Sequence, residues 1–228
     1  MLLGIDLGEL PDESPALYRA AHIAYIAAGG HAGDDDSIVR AIDTCLVEHT
    51  RIGAHPGFAD RENFGRIELA LSPIALAESV AEQCARVARS AHARGARVEY
   101  VKLHGALYHC ADRDERVAKT VVDAAIESLG SDLTFVAWPK RATANTVSAR
   151  GIALLREGFA DRAVRSDGTL VPRSEPGAVI VHPPAAVERA RELLGSGAID
   201  VLCVHGDNER AVSIATAVRA MLDARGAL

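Results

Sequence analysis

Aromatic residues and cysteines are scarce in this 228-residue chain. Phe, Trp and Tyr make up 4% of the sequence, and the cysteines stand far apart without a CxxC pair. A disulfide framework and a zinc knuckle both need a regular cysteine pattern, so we expect reduced thiols that serve mostly for packing. The four are Cys45, Cys84, Cys110 and Cys203.

Long apolar runs and a cationic surface stripe are also absent. No apolar stretch approaches the roughly 20 residues that a membrane-spanning helix needs, and the opening MLLGIDLGE has no basic start. The net charge is −6, so the attraction to a phosphate backbone that drives nucleic-acid binding has no obvious source. We therefore expect a cytoplasmic protein that binds neither a membrane nor nucleic acid.

What the chain does contain is a regular alternation of short apolar runs and longer amphipathic segments. Strands are predicted at Leu2–Ile5, Ile23–Ala28, Arg51–Ala54, Val98–Val101, Leu133–Ala137, Ile152–Leu155 and Ile199–Val204. Helices are predicted at Ser37–His49, from Pro73 to near Gly95, at Arg113–Leu129, near Ala142–Arg150 and at Glu209–Arg225. The helix that begins at Pro73 has Ser72 as its predicted N-cap. Such alternation is typical of parallel βαβ units. No linker interrupts the series, so we predict one domain over residues 1–228.

A closed barrel and an open doubly wound sheet both bring polar residues to the C-terminal ends of parallel strands. Seven units with polar groups after nearly every strand favour the closed barrel, because all of these groups then converge on one mouth. Two stretches break the alternation. Glu157–Arg173 is predicted as an ordered excursion over the mouth, and Ala178–His182 as either a short strand or the start of a helix.

The richest polar stretch is Ile52–Arg66, IGAHPGFADRENFGR, which begins as an apolar run. Three other stretches also place a histidine beside glycine just past apolar residues: Gly29–Asp36, Val101–His109 and Cys203–Ala211. Glycine-rich polar loops cost stability, so a fold keeps them where a rigid scaffold presents them to a ligand. The alternatives are that they are solvated loops and that part of the acidic run Asp34–Asp36 caps a helix.

Together these motifs resemble the LamB/YcsF family, the A component of bacterial ATP-dependent 5-oxoprolinase. The matching stretches are DLGE, HAGD, IGAHPGF..R..FGR, VKLHGALYH, FADRAV..DGTLVPR, PGAVI and CVHGDN, from Asp6 to Asn208. The resemblance implies a seven-stranded parallel β/α barrel similar to the polysaccharide deacetylase fold. It also implies ATP-dependent cleavage of the 5-oxoproline lactam to glutamate, carried out with partner subunits B and C.

The first two motifs depart from the family pattern. Gly4 stands where the family usually has an asparagine two positions before the aspartate, and Tyr25, Ala28 and Gly30 replace the usual asparagine, cysteine and phenylalanine. The first two strand ends therefore lack polar groups that the family carries. This leaves the exact substrate open.

Opening a lactam requires an electrophilic carbonyl, stabilisation of the resulting oxyanion and a proton for the departing nitrogen. Asp6, His55, Lys102 and His104 are the predicted catalytic residues, with Asp6 and a histidine as acid and base. The predicted substrate-binding residues are Glu9, His31, Arg66, Glu157, Asp161, Arg173, His205 and Asp207. Lys102 is predicted to hold a phosphate or carboxylate, and Arg66 to clamp a carboxylate. The alternative is that Lys102 reaches solvent or pairs with Glu99.

The cofactor remains open at this stage. ATP is implied by the resemblance, but GGHAGDDD lacks the Gly-Lys-Ser/Thr ending of a Walker loop, so ATP binds by another device or on a partner protein. A divalent metal ion is another use of the same residues, with Asp6, His31 and His55 as an open three-ligand site that activates water.

Two other classes of function therefore stay open. One is a stand-alone metal-dependent amide hydrolase or carbohydrate deacetylase, and the other is a non-catalytic subunit that binds a small acid. The sequence also leaves open whether the chain forms a homo-oligomer. His22, His49 and His182 are expected to be structural.

Overall fold

A computed structural model describes residues 1–165 and 169–226 of the chain. Within this range, parallel strands pair in sequence order and the last strand pairs with the first, so the sheet closes into a seven-stranded barrel. The strands are β1 (Leu2–Leu7), β2 (Ile23–Ala27), β3 (Arg51–His55), β4 (Tyr100–Lys102), β5 (Thr134–Ala137), β6 (Ala153–Phe159) and β7 (Val201–His205). The parallel β/α barrel predicted from the sequence is confirmed.

Helices connect the strands. They are α1 (Pro15–Ala20), α2 (Asp35–Glu48), α3 (Pro73–His92), α4 (Gly105–Arg113), α5 (Glu115–Leu129), α6 (Ala142–Ala149), α7 (Pro183–Gly195) and α8 (Ala211–Gly226). Because helices cover the strands, β2 is buried along its whole length and reads as the continuous apolar run IAYIA. None of the helices in the described ranges has the length and apolar character needed to cross a membrane.

Two helix starts confirm the predicted caps. Asp34 caps α2, because its carboxylate accepts the Ser37 backbone N–H at 2.8 Å while the Ser37 hydroxyl accepts the Asp34 N–H at 2.7 Å. Ser72 caps α3, and Pro73 is its first residue. The acidic run after the second strand therefore has a structural use.

Three helices differ from the sequence predictions. The short helix α1 has no predicted counterpart, and α7 is anticipated only as one of the two alternatives for Ala178–His182. The single helix predicted at Arg113–Leu129 is wrong in its start, because α4 ends at Arg113 and Asp114 caps a separate helix α5. As a result α4 begins directly after His104, and the HGALYH stretch is a helix N-terminus rather than a loop.

The sixth strand is longer than predicted. It continues to Phe159 rather than ending at Leu155, so Glu157 lies within the strand and is fully buried. Beyond it, Arg162 bridges to Val179 in antiparallel fashion, and α7 starts soon afterwards, so Ala178–His182 combines the two predicted alternatives. Of the excursion Glu157–Arg173, residues 166–168 lie outside the described ranges.

Candidate active site

A cavity of about 580 Å³ lies at the C-terminal ends of the strands, within the size range of small-ligand sites. The predicted catalytic residues Asp6, His55 and Lys102 line it and are each no more than 2% exposed. Other predicted site residues also line the cavity: Glu9, Arg66, His104, Arg173, His205 and Asp207. The three remaining predicted residues, His31, Glu157 and Asp161, do not line the cavity. They are buried behind it, where each contacts a lining residue.

Lys102 stands between buried acids at the base of this cavity. Its Nζ lies 2.7 Å from Asp6 Oδ1, 3.1 Å from Glu157 Oε1 and 3.0 Å from Cys203 Sγ. Burial opposes the charge of Lys102, but the two carboxylates outweigh it and raise its pKa well above the ordinary value. Pairing with Glu99 and exposure to solvent are therefore both wrong, and Cys203 does more than pack.

Asp6 is the anionic partner of this lysine. Burial by itself would raise the pKa of Asp6, but the electrostatic interactions with His55 and Lys102 outweigh burial and hold it well below the usual range. Asp6 Oδ2 also lies 3.4 Å from His55 Nε2. Asp6 is thus ionised and connects the lysine with the histidines.

Three histidines surround Glu9, and we call these four residues the histidine cluster. Glu9 Oε1 lies 3.1 Å from His31 Nε2, 3.2 Å from His104 Nδ1 and 3.8 Å from His55 Nε2. Burial opposes ionisation of Glu9, but hydrogen bonds from His104 and His31 outweigh it and keep its pKa far below the usual range. Burial lowers the pKa of His31 to about 3, and the adjacent His104 adds to this effect. The His31 and His104 rings stack in parallel, with centroids 3.6 Å apart.

Backbone carbonyls fix the protonated nitrogens of two histidines. His55 Nδ1 lies 2.8 Å from the Lys102 carbonyl oxygen, and His104 Nε2 lies 2.9 Å from that of Phe64. Because a carbonyl only accepts, these nitrogens carry the hydrogens. In the neutral form of both rings, the lone pairs of His55 Nε2 and His104 Nδ1 would face each other at 3.1 Å, beside the Glu9 carboxylate. Three acceptors that converge in this way require a shared proton or a cation between them.

Asp161 orients the last predicted histidine. It accepts the His205 backbone N–H at 3.0 Å and lies 2.8 Å from His205 Nδ1. Burial disfavours its charge, but His205 outweighs this and lowers the Asp161 pKa. Nε2 of His205 is left 3.9 Å from Asp6 Oδ2. Asp161 therefore acts on the site through His205, behind the cavity wall.

Glycine makes room for the stacked histidines. Gly65 has a positive φ of 64°, and a Cβ there would lie 2.6 Å from the Cβ of His31 and 3.1 Å from Cδ2 of His104. The same stretch sends His55 into the site from β3. The composition of Ile52–Arg66 is thus explained by both side-chain chemistry and backbone space.

Gly4 and Tyr25, which come from the two altered motifs, lie next to each other in the barrel. The Tyr25 ring lies over Gly4, where an added Cβ would come within 2.4 Å of Tyr25 Cε2 and Oη. Lys102 Nζ lies 5.0 Å from the Tyr25 ring centroid, and the Tyr25 hydroxyl is buried without a hydrogen-bond partner among the described residues. The first two strand ends are therefore not simply depleted of polar groups, because Tyr25 brings a hydroxyl beneath Lys102.

Sequence reasoning missed two acids near the site. Glu13 accepts the backbone N–H groups of Gly8, Glu9 and Leu10 and the Tyr18 hydroxyl, so it fixes the turn that carries Glu9. The spacing of Glu13 from the DLGE motif is the only signal that could have found it. Asp112 lines the cavity, and burial raises its pKa to about 7. It lies on a helix that the sequence does not predict there, so no pattern pointed to it.

The metal-ligating set differs in its arrangement from the predicted Asp6, His31 and His55. Among the described residues, two groups have ligand atoms within 4.8 Å of one another: Glu9 with His31, His55 and His104, and Asp6 with Cys203 and His205. Of the three predicted ligands, His31 and His55 belong to the first group, whereas Asp6 belongs to the second. Three imidazoles and a carboxylate suit zinc and similar divalent ions.

Comparison with known proteins identifies the relatives of this barrel. The LamB/YcsF family model matches residues 6–228. The chain belongs to the LamB/YcsF family. A family relative from Heliobacterium modesticaldum, named as the A subunit of 5-oxoprolinase, is 38% identical over 213 residues, which cover 88% of this chain and 84% of the relative.

Solved structures agree with this LamB/YcsF membership. The crystal structure of a lactam utilization protein from Thermus thermophilus superposes with a TM-score of 0.89 at 31% identity, covering 99% of this chain and 97% of that one. The catalytic domain of a peptidoglycan N-acetylglucosamine deacetylase from Eubacterium rectale superposes with a TM-score of 0.56 at 11% identity, covering 99% and 84%. The second likeness shows a shared deacetylase-like fold alone.

Proposed function

We propose that this chain opens the lactam ring of 5-oxoproline to give glutamate, as the A component of an ATP-dependent complex with subunits B and C. The observation that carries the proposal is the cavity in which Asp6, Lys102 and the histidine cluster meet, in a chain whose relatives are named as the A component of 5-oxoprolinase. The overall reaction consumes the lactam, water and ATP and yields glutamate, ADP and phosphate.

Lys102 and Asp6 supply the polar groups for the hydrolytic step. The charged Lys102 lies at the base of the cavity and polarises a carbonyl oxygen placed next to it. His55 accepts the proton of an attacking water at Nε2, and the ionised Asp6, 3.4 Å from this nitrogen, stabilises the imidazolium that forms. The proton then passes to the ring nitrogen as the carbon–nitrogen bond breaks.

ATP enters this reaction on a partner protein. An unstrained amide is a poor electrophile, and phosphorylation of its oxygen by ATP, with release of ADP, activates the ring carbon towards attack by water. Breakage of the carbon–nitrogen bond then leaves an acyl phosphate, which a second water hydrolyses to glutamate and phosphate. The Gly29–Asp36 stretch ends in a capped helix without a lysine to hold a phosphate, so we place the nucleotide on the B or C component.

Reconstitution tests the proposal. Purified chain alone should hydrolyse neither ATP nor 5-oxoproline, whereas a mixture with subunits B and C should release ADP and glutamate in a fixed ratio. Coupled turnover by this chain alone would show that the nucleotide is bound here. A complex that forms but never converts 5-oxoproline would favour a non-catalytic, acid-binding role.

A divalent metal ion is a second candidate component, favoured by the converging acceptors of Glu9, His55 and His104. His31 belongs to the same group, with its Nε2 3.1 Å from Glu9 Oε1. Its other ring nitrogen, Nδ1, is buried without a hydrogen-bond partner among the described residues. These residues fit a zinc-like ion, which would supply Lewis acidity and an activated water. Such an ion would make a metal-dependent amide hydrolase or carbohydrate deacetylase the alternative activity.

Metal content can be measured without any activity assay. Purified protein dialysed against zinc should retain about one ion per chain by mass spectrometry, and its melting temperature should fall on chelation. Replacing His104 with glutamine should abolish both effects, whereas the same change at the exposed His92 should not. Retention by the His104 variant equal to wild type would rule out this cluster as the site.

A further inference from the structure

Positive charge accumulates on one side of the cavity, away from Lys102. Arg66, Arg162 and Arg173 all line the cavity, and Asp207 is the carboxylate that contacts two of them. Arg173 donates to both oxygens of Asp207 at 3.2 Å, and Arg66 donates to Oδ2 of the same carboxylate. We call these four residues the arginine cluster. The arginine cluster contains three positively charged side chains and one carboxylate.

Arg162 is the member without a carboxylate partner among the described residues. It is 5% exposed, and its guanidinium donates to the backbone carbonyl oxygens of Ala178 at 3.2 Å and Val171 at 2.7 Å. Burial lowers its pKa to about 10, and the neighbouring Arg173 adds to this effect. The charges of Asp161 and Asp207 offset part of this effect. A buried guanidinium beside other cations still favours the binding of a further anion.

Lys102 is not suited to bind an anionic group of a ligand. Asp6 and Glu157 already neutralise its ammonium group, so a ligand carboxylate near it would meet two negative charges. The cavity therefore has an anion-rich base and a cation-rich side. A ligand that fills both needs a reacting carbonyl at one end and an anionic group at the other.

We propose that the arginine cluster is the subsite for an anionic group of the substrate, a carboxylate or a phosphoryl group. This deepens the proposed function, on which it rests, by assigning recognition of that group to residues other than Lys102. Asp207 holds Arg66 and Arg173 in position. The bound anion then contacts Arg162 and Arg173, whose planar forks match either chemistry.

Binding by the purified chain tests this subsite without any turnover. Calorimetric titrations compare 5-oxoproline, 2-pyrrolidinone, which is the same ring without the carboxylate, and inorganic phosphate. Wild type should bind 5-oxoproline at least about tenfold more tightly than 2-pyrrolidinone. Replacing Arg173 or Arg162 with glutamine should weaken 5-oxoproline binding about tenfold or more and leave 2-pyrrolidinone unaffected.

Two further variants sharpen the result. Asp207→Asn removes the internal anion and should tighten phosphate binding, an effect opposite in sign to that of the arginine variants. Arg165→Gln is the matched control, because Arg165 lies in the same segment but pairs with Glu175 outside the cavity lining. It should bind every probe like wild type. Melting curves check that each variant is folded, and Arg173→Gln breaks no backbone hydrogen bond.

The outcomes separate the sources of the anion. Phosphate binding that is lost in the arginine variants assigns the subsite to a phosphoryl group, and selective loss of 5-oxoproline binding assigns it to a carboxylate. Equal affinity of wild type for the two lactams, without phosphate binding, would overturn the subsite. Intact binding in a chain that never supports turnover would instead overturn the proposed function alone.

Discussion

At the scale of single residues, Lys102 depends on its neighbours more than any other group in the site. Its ammonium is held between Asp6 and Glu157, and all three side chains are at most 3% exposed. Removing one partner of a buried pair leaves an uncompensated charge, which is more damaging than removing the pair. The lysine therefore contributes to folding as well as to chemistry.

Replacing Lys102 with methionine should abolish 5-oxoproline turnover in the reconstituted complex and also destabilise the fold by about 3–5 kcal/mol. Two carboxylates would remain buried without a cation. The double change Lys102→Met with Glu157→Gln should recover part of the stability but none of the turnover. Urea unfolding beside a glutamate-release assay measures both effects.

The exposed Lys119 on α5 provides a matched control, because its change to methionine removes the same charge from the surface. That variant should keep wild-type stability and turnover. Turnover by the Lys102 variant at the wild-type rate would show that this ammonium group does not take part in the reaction.

At the scale of elements, β1 and β2 are matched through Gly4 and Tyr25. Glycine is required at position 4 because the Tyr25 ring occupies the space that a larger side chain there would need. Gly4 pairs with Ile23 and Asp6 pairs with Tyr25 in the same ladder. Gly4 and Tyr25, two of the four departures described from the sequence, are therefore structurally coupled inside the barrel.

Gly4→Ala should cost about 1–3 kcal/mol of stability in the wild-type chain, because its methyl group overlaps the Tyr25 ring. The same change should cost much less in a Tyr25→Ala background, where the ring is absent. A double-mutant cycle by denaturant unfolding gives this coupling free energy. Additive effects would show that Tyr25 moves away without cost.

Gly195 is a suitable control glycine, since an added Cβ there meets nothing within 4 Å. Gly195→Ala should be neutral or slightly stabilising, because alanine reduces the conformational freedom of the unfolded chain. A loss of stability there comparable to that of Gly4→Ala would indicate a general intolerance to alanine rather than a contact with Tyr25.

At the scale of the whole molecule, closure of the barrel assembles the site. Pairing of β1 with β7 sets Asp6 opposite His205, although nearly the whole chain separates them in sequence. The same closure brings Cys203 against Lys102. An open sheet would leave these strands at its two edges, so the histidine cluster, the lysine and the arginine cluster share one cavity only because the sheet is closed.

The sequence by itself determined the strand count, the alternation and the strand ends at which polar residues meet, because buried parallel strands read as apolar runs and polar groups follow where they end. It also determined the caps of α2 and α3, since capping is local. It did not determine α1, α4 or α7, nor that Glu157 lies inside β6, because these depend on packing between segments distant in the chain.

Tertiary structure alone decided which polar groups became partners. Asp6 pairs most closely with Lys102 rather than joining His31 and His55 in one metal set, Asp207 holds two arginines, and Arg162 is left with backbone carbonyls. Each of these contacts joins residues from different strands or loops. Spacing along the chain fixes which edge a side chain reaches, whereas charge compensation depends on distances of a few ångströms that exist only once the barrel has closed.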